Sequence, residues 1–192
     1  MIVMNPKLII IIAFSYLYVF FEIWMARSQR KNRTVEKSND KGSFWVLIIA
    51  IAIGYSLSFK FGAGRLGRVS PWNTYFVIGT LLVIIGLIVR INAIRTLKQH
   101  FTYNVTKIKD HQLIDTGWYK YIRHPGYLAQ LMIFLGIATS MANWLAVLGM
   151  MVPVLAGFLY RIRVEEKFMQ DQMGQIYTEY QKRTWRLIPG IY

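Results

Sequence analysis

The residues best suited to chemistry lie in the segment 115–127, which reads Asp-Thr-Gly-Trp-Tyr-Lys-Tyr-Ile-Arg-His-Pro-Gly-Tyr. Pro125 suits the first turn of a helix, because its missing N–H has no intrahelical partner there in any case. We expect the next three backbone N–H groups to be unpaired, with Arg123 and His124 just outside the helix. Such a helix start is an anion site. The alternative is the entrance of a membrane helix, with Tyr and Arg as interfacial anchors.

A second candidate site lies in the sequence Arg-Ile-Arg-Val-Glu-Glu at 161–166. Arg161 and Glu165 are four residues apart in a predicted helix, so their side chains share a face. A guanidinium suits the carboxylate of a substrate, and the neighbouring acid attracts a cation. The alternative is an exposed ion pair at the end of a membrane helix, which would contribute little to stability.

The composition excludes several classes of protein. Of the 192 residues, 55% are hydrophobic and only 17% are charged, and the length favours a single domain over 1–192. The net charge of +14 does not indicate a nucleic-acid binder, because the basic residues collect beside long apolar runs. The chain has no cysteine, so disulfides, thiolate metal ligands and a cysteine nucleophile are excluded.

Five apolar segments predict an all-α, polytopic membrane protein with about five transmembrane helices. They cover residues 8–25, 44–59, 72–89, 127–141 and 144–160. The first is a retained span rather than a signal peptide, because no small-residue cleavage site follows it. Only two residues separate the last two segments, so we expect a tight antiparallel hairpin there. The sequence from Arg161 to Gln181 keeps a helical spacing of apolar residues and predicts a helix that continues from the fifth span or lies on the membrane surface.

The basic residues predict the orientation in the membrane. With five spans, 19 of the 23 Lys and Arg residues fall on one side, in the loops 26–43 and 90–126 and in the tail from 161. By the positive-inside rule the N-terminus is outside, and the Arg-His-Pro segment and the tail are cytoplasmic. Glu22 lies inside the first span, where we expect it to reach towards the interface. A functional position facing the bundle interior is the alternative.

Two further patterns carry no predicted chemistry. The sequence Gly-Ala-Gly-Arg-Leu-Gly at 62–67 matches a dinucleotide fingerprint, but no strand is predicted before it and a membrane helix follows. We expect an interhelical turn. The histidines at 100, 111 and 124 have no helix-face metal spacing, so no metal site is predicted. The segment 100–121 is rich in aromatic residues and predicts either a ligand pocket or a cover over the bundle; these residues are Phe101, Tyr103, Trp118, Tyr119 and Tyr121.

Three stretches, in order along the chain, resemble the C-terminal half of the isoprenylcysteine carboxyl methyltransferases. They are 113–127 with its Arg-His-Pro-x-Tyr core, the residues Arg161, Glu165 and Glu166, and the Gly-x-x-Tyr-x-x-Tyr tail at 174–180. The resemblance covers about residues 95–190. The wider group includes membrane phospholipid N-methyltransferases. The chain has Ala129 where the family often has Gly, and Trp118 where it usually has Pro.

The resemblance implies methyl transfer from S-adenosylmethionine to the carboxylate of a prenylated cysteine, or of a similar lipophilic acceptor that enters from the bilayer. It implies a cytosolic cofactor pocket built from the loop between helices 3 and 4 and the C-terminal helix, with residues 1–95 forming the first three spans and 96–192 the cofactor-binding and catalytic half. The resemblance also implies that Arg161 and Glu165 are catalytic residues and that Arg161 binds the carboxylate of the substrate. The implied cofactor residues are Asn104, His111, Gln112, Leu113, Ile114, Tyr119, His124, Pro125, Gly126, Tyr127 and Glu165.

Three other functions stay open on the sequence. A phospholipid-type N-methyltransferase would use the same cofactor on an amine acceptor. An NADPH-dependent membrane reductase is possible because sterol reductases carry a similar C-terminal region. A non-enzymatic membrane subunit would have no affinity for either cofactor. Binding of S-adenosylhomocysteine would indicate a methyltransferase, and binding of NADPH would indicate a reductase. Binding of neither would indicate a non-enzymatic subunit.

Overall fold

The structure of the chain, a computed structural model, describes residues 6–30, 42–97 and 113–192. Within these residues there are helices and turns but no β-strand, which confirms the all-α prediction. Four helices are long and apolar enough to cross a membrane, and a fifth apolar helix, α4, is shorter. The α-helices are α1 (Pro6–Arg30), α2 (Ser43–Ala63), α3 (Trp72–Leu97), α4 (Pro125–Thr139), α5 (Trp144–Met173) and α6 (Gln175–Arg183).

Four helices, α1, α2, α3 and α5, are longer than their predicted apolar segments, and α3 and α5 have the longest extensions. Helix α3 continues to Leu97 and includes Arg90 and Arg95. The count of basic residues assigns both to the following loop, so it is wrong for these two positions. Arg90 is buried, which is possible in a membrane helix only when the charge is paired. Helix α5 likewise continues to Met173, which confirms that a helix extends from the fifth span.

Helix α4 is the centre of the bundle. Helix α3 lies along one side of it, α5 packs on another, and α2 packs along α5. Small residues allow the close approach of α3 and α4: a Cβ atom at Gly79 would stand 2.4 Å from the carbonyl oxygen of Gly136. The buried core lies between α4 and α5, with Phe134 and Phe158 among its largest members. The rings of Tyr18 and Tyr55 meet Phe134 edge-on, which brings α1 and α2 onto the same core.

Residues 64–67 of the glycine-rich sequence lie in the turn between α2 and α3, as predicted, whereas Gly62 and Ala63 are the last residues of α2. Asn143 closes this turn, because its side-chain amide donates to the carbonyl oxygens of Phe61 and Leu66 at 2.8 Å each. The side-chain oxygen Oδ1 of Asn143 accepts from the N–H of Leu145 and so caps α5. The α4–α5 hairpin has a connection of four residues, 140–143, instead of the two expected, because α4 ends at Thr139. Asn143 thereby joins this connection to the α2–α3 turn at this end of the bundle.

Helix α1 packs only lightly against the bundle. Ile11 and Tyr18 are buried against the bundle, whereas Tyr16, Leu17 and Phe20 project away from it. Such exposed apolar side chains suit the hydrocarbon interior of a bilayer. The position of α1 therefore depends on a few inward contacts.

The C-terminal tail returns to the start of α4. Residues Ile122 and Trp185 form a parallel β-bridge, in which the N–H of Arg123 donates to the Trp185 carbonyl at 2.8 Å. Leu187 is buried in the core, but Trp185 and Ile191 are exposed. Leu187 thus anchors the returning end of the chain in the core. The tail therefore braces the segment that leads into α4.

Candidate active site

The predicted chemical residues meet at one end of the bundle. The start of α4, the last third of α5, the start of α2 and the returning tail come together there. Their polar side chains form two groups. We call Arg161, Tyr127 and Glu165 the transfer cluster, and Glu22, Arg90 and Gln130 the anchor cluster.

The transfer cluster is a chain of hydrogen bonds centred on Tyr127. The Arg161 Nε donates to the Tyr127 hydroxyl oxygen at 3.1 Å, and the Tyr127 hydroxyl donates to Glu165 Oε2 at 2.6 Å. The sequence predicted a shared face for Arg161 and Glu165, and the structure places Tyr127 of α4 between them. A cation and an anion are thus held close together through a neutral phenol.

Arg161 is buried rather than exposed. It retains only 3% of its surface, and its Nη1 atom donates to the hydroxyl oxygen of Ser43 at 3.0 Å. The guanidinium also lies over the ring of Phe44, 5.9 Å from its centre. The alternative of an exposed helix-end ion pair is therefore wrong. Ser43 and Phe44 come from the start of α2, a contribution that the sequence analysis missed because neither residue belongs to a motif.

His124 is buried beside the transfer cluster. It is the residue before α4, and its ring stacks on Tyr127 with 5.4 Å between ring centres. Its Nε2 atom is 3.3 Å from Glu166 Oε1, and its Nδ1 atom is 4.0 Å from Glu165 Oε2. His124 therefore stands between two neighbouring carboxylates of α5 and orients the Tyr127 ring.

Glu166 holds the Arg-His-Pro segment and the tail together. Arg123 donates from Nε to its carboxylate at 2.8 Å, and the Nε atom of Arg186 lies 2.8 Å from the other oxygen. Arg123 also donates to the carbonyl oxygen of Thr184. We expected Arg123 to flank an anion site. Its side chain is instead engaged with Glu166 and the tail, which gives it a structural role.

The first turn of α4 differs from the prediction. The N–H groups of Tyr127 and Leu128 both donate to the His124 carbonyl oxygen at 3.1 Å. The expectation of three unpaired N–H groups is therefore wrong, because the turn closes on the carbonyl of the residue before it. Pro125 does occupy the first helical position, as predicted. The space beside Gly126 is taken by a side chain, since a Cβ atom there would lie 2.8 Å from Arg90 Nη1.

The anchor cluster replaces the predicted surface position of Glu22. Arg90 donates from Nε and Nη2 to the two oxygens of Glu22 at 3.0 and 2.9 Å. The side chains retain 4% and 15% of their surface, so the pair faces the bundle interior. The expectation that Glu22 reaches towards the interface is wrong, because a buried cation on α3 is available to it. Arg90 follows the apolar segment 72–89 directly, and this position was the signal in the sequence that a cation could lie in the bundle near Glu22.

Tyr119 is the buried member of the predicted aromatic pocket. Its carbonyl oxygen accepts from the Tyr180 hydroxyl at 2.6 Å, which attaches the short 3₁₀ helix Gly117–Lys120 to α6. Burial raises the pKa of Tyr119 well above its ordinary value; the positive charge of Arg90 acts against this shift and the negative charge of Glu165 adds to it. The Tyr119 hydroxyl thus lies within electrostatic reach of both clusters.

The other residues predicted to line a pocket differ in their burial, and some lie outside the described residues. Leu113 and Ile114 are half-buried at the start of the last described range. Trp118 and Tyr121 are exposed and do not wall an interior pocket. Several predicted residues lie outside the residues that the structure describes; these are Asn104, His111 and Gln112 of the cofactor set, together with Phe101 and Tyr103.

Sequence comparison connects this geometry with a known group of proteins. The model of the phospholipid methyltransferase family matches residues 74–176, more than half of the chain. A protein-S-isoprenylcysteine O-methyltransferase of Dictyostelium discoideum is 32% identical over 117 residues, or 60% of this chain and 49% of that protein. A protein-S-isoprenylcysteine O-methyltransferase of Saccharomyces cerevisiae is 35% identical over 117 residues, which again are 60% of this chain and 49% of that protein. The chain thus spans about half the length of these curated relatives.

The fold has also been seen in a solved structure. The chain superimposes on a eukaryotic intramembrane Ras methyltransferase, an isoprenylcysteine carboxyl methyltransferase, with a TM-score of 0.67. The match covers 99% of this chain and 70% of that one at 21% identity, and it shows the fold alone. Together with the apolar helices, it confirms an integral, multi-pass membrane protein. On the match over 74–176, which includes α4 and the transfer cluster, the chain belongs to the phospholipid methyltransferase family.

Proposed function

We propose that the chain transfers a methyl group from S-adenosylmethionine to the carboxylate of a lipophilic acceptor in the membrane, such as a prenylated cysteine. The observation that carries this proposal is the transfer cluster. A buried guanidinium at Arg161 and a carboxylate at Glu165 lie on either side of the Tyr127 hydroxyl. One member matches an anionic acceptor and the other matches a cationic donor.

The residues present fit this cofactor. The side chain of Glu165 retains 33% of its surface, so its carboxylate is accessible to a ligand, unlike that of Glu166. An accessible carboxylate suits the positively charged amino group of S-adenosylmethionine, which S-adenosylhomocysteine also carries. S-adenosylmethionine supplies an electrophilic methyl group when bound. His124 and Tyr127 offer stacked rings next to this carboxylate. We assign Glu165, His124, Tyr127 and Tyr119 to the cofactor, and the family resemblance adds the loop residues before Tyr119.

The chain's own residues then have limited tasks. A carboxylate acceptor is already nucleophilic, so no general base is required. Arg161 binds and orients this carboxylate through its planar guanidinium, which Ser43 and Phe44 hold in place. The Tyr127 hydroxyl fixes the distance between the acceptor and donor sites, and the apolar helices exclude water. The acceptor enters from the bilayer side of the bundle.

The test uses the whole chain, purified in detergent and returned to lipid vesicles. Calorimetric titration with S-adenosylhomocysteine should show binding, and radiolabelled methyl should pass to a farnesylcysteine analogue. A farnesylcysteine methyl ester, in which the carboxylate is blocked, is the matched control acceptor and should stay unlabelled. Absence of S-adenosylhomocysteine binding, or binding of NADPH in its place, would refute the proposal.

An amine acceptor is the second candidate, because the matching family model is that of phospholipid methyltransferases. Vesicles that contain phosphatidylethanolamine test it in the same assay. Label in the lipid and none in the farnesylcysteine analogue would establish N-methylation. This outcome would keep the cofactor assignment and remove the proposed role of Arg161.

The same proposal places the site on the cytoplasmic side and the N-terminus outside. Because the chain has no native cysteine, single cysteines can be introduced and labelled from either side of the membrane. Gly64→Cys, in the α2–α3 turn, should react from outside. Gln181→Cys, in α6, should react only from the cytoplasm. The reverse pattern would contradict the orientation.

A further inference from the structure

The anchor cluster has no task in the proposed methyl transfer, although it is an elaborate structure for a membrane interior. It joins three helices, with Glu22 on α1, Arg90 on α3 and Gln130 on α4. The Gln130 amide approaches Glu22 Oε1 at 3.5 Å, so α4 contacts the pair as well. Charged residues inside membrane helices are rare and are usually retained for a function.

The charges of this cluster balance one another. Glu22 receives two donors from one guanidinium in a parallel arrangement, the strongest geometry for such a pair. Because Glu22 already neutralises Arg90, the cluster does not serve as a binding site for an anionic ligand. It does, however, place a rigid donor group at a fixed point of the bundle.

This donor group lies against the first turn of α4. The Nη1 atom of Arg90 is 3.5 Å from the carbonyl oxygen of Gly126. Gly126 precedes Tyr127, the centre of the transfer cluster, and follows His124 by two residues. A side chain at 126 would collide with the guanidinium, since its Cβ would stand 2.8 Å from Nη1. A bare cation here would oppose the positive end of the α4 dipole, and Glu22 removes that conflict.

Among its described side chains, helix α1 offers few others to this region. Most of its side chains face away from the bundle, and Tyr18 and Glu22 are its inward contacts nearest the site. Helix α1 contacts the middle of α4 directly, through Tyr18 on Phe134 and Glu22 on Gln130, and it reaches the first turn of α4 through Arg90. The connection runs from α1 through the ion pair to the backbone of Gly126, and from there to the next residue, Tyr127.

We propose that Glu22 and Arg90 are positioning residues, which fix the first turn of α4 and with it the Tyr127 hydroxyl and the His124 ring for ligand binding. This role rests on the proposed function and extends the site to α1, which contributes no residue to the transfer cluster. A purely structural pair would predict loss of folding when it is broken, and full recovery once both charges are removed. A positioning pair predicts recovery of folding without recovery of ligand affinity.

The experiment separates these two outcomes with three variants in vesicles. Glu22→Leu leaves an unpaired buried cation, so its thermal midpoint should fall by at least ~5 °C. The double variant E22L/R90M removes both charges and should recover most of this loss. Its affinity for S-adenosylhomocysteine should nevertheless remain about tenfold weaker than that of the wild type, because the donor to Gly126 is absent. Arg90→Lys keeps the charge but loses the fork, and should bind as weakly as the double variant while remaining folded.

The exposed ion pair of Glu179 and Lys182 on α6 provides the matched control. The double variant E179L/K182M should change neither the thermal midpoint nor the affinity. Wild-type affinity in folded E22L/R90M or in folded Arg90→Lys would overturn the positioning role and leave the proposed function intact. Failure of the wild-type protein itself to bind S-adenosylhomocysteine would refute the proposed function instead.

Discussion

The two polar clusters contact α4 within one turn of each other but have opposite designs. In the anchor cluster the carboxylate of Glu22 and the guanidinium of Arg90 meet directly; Arg90 is buried and Glu22 retains 15% of its side-chain surface. In the transfer cluster Tyr127 stands between Arg161 and Glu165, and Glu165 stays accessible. In a direct ion pair each charge neutralises the other, whereas two separated charges can each interact with a ligand. The comparison indicates that the arrangement of charges, more than their number, distinguishes a binding site from a support.

The largest expected effect is that of Arg161→Ala on turnover. Loss of the guanidinium leaves the acceptor carboxylate without a partner in a water-poor site, and we expect at least a ~100-fold loss of turnover. Affinity for S-adenosylhomocysteine should stay nearly unchanged, because Glu165 remains. Arg161→Lys should rescue only in part, since an ammonium lacks the planar fork.

Arg163 is the matched control for this prediction, because it is an exposed cation of the same helix, two residues away. Arg163→Ala should retain wild-type turnover. The measurements are calorimetry with S-adenosylhomocysteine and radiolabelled methyl transfer to the farnesylcysteine analogue. Normal turnover of Arg161→Ala would make the transfer cluster a structural feature like the anchor cluster, and the carboxylate acceptor would have to be abandoned.

The next effect is that of Glu165→Gln on the cofactor. A hydrogen bond to a charged group is worth about 1.5–3 kcal/mol, so affinity for S-adenosylhomocysteine should fall about ten- to a hundredfold. Glu165 is not fully buried, and solvent should bring the effect towards the lower end. Glu179→Gln, on an exposed acid of α6, is the control and should bind normally. If Glu165→Gln bound the cofactor product as tightly as the wild type, the accessible carboxylate would not be its partner.

A smaller effect is expected from Gly126→Ala, which tests how the anchor cluster reaches the site. The added methyl would displace the Arg90 guanidinium, and such overpacking costs about 1–3 kcal/mol. We expect the affinity for S-adenosylhomocysteine to fall about tenfold in the wild-type background. In E22L/R90M the obstruction is absent, and the same substitution should then have little effect. Equal losses in both backgrounds would show that Gly126 acts on the ligand directly and not through Arg90.

The sequence predicted the elements of the fold better than the contacts between them. Pro125 marked the start of α4, and the short connection before Trp144 marked the hairpin, because both are local signals. The shared face of Arg161 and Glu165 followed from helical spacing alone. Glu22 and Arg90 are 68 residues apart, and nothing in the local pattern of either span indicates which helices become neighbours.

The details of the site depended on such long-range contacts. Tyr127 was assigned to the cofactor through the family resemblance, but its position between Arg161 and Glu165 requires the packing of α4 on α5. Ser43 was missed because a serine at the start of an apolar helix is an ordinary capping residue. The bond from the Leu128 N–H to the His124 carbonyl could have been predicted, because the carbonyl of the residue before a helix accepts its first intrahelical bond. Only the additional bond from the Tyr127 N–H depends on the local backbone at His124.

The smallest and most specific effect is expected from Tyr127→Phe, which should convert the transfer cluster into a copy of the anchor cluster. The hydroxyl is the only atom lost, so the ring keeps its stacking on His124. Arg161 and Glu165 are one helical turn apart and, without the hydroxyl between them, can pair directly. Each would then be less available to its ligand.

We therefore expect both the affinity for S-adenosylhomocysteine and the KM for the acceptor to worsen together, each by about three- to tenfold. This joint change distinguishes Tyr127→Phe from Arg161→Ala and Glu165→Gln, which should each affect one ligand. Tyr160→Phe, on a partly exposed tyrosine of the same α5 helix, should change neither value. A change in only one of the two values for Tyr127→Phe would mean that the hydroxyl serves that ligand alone. The separation of charges would then not be what distinguishes the transfer cluster from the anchor cluster.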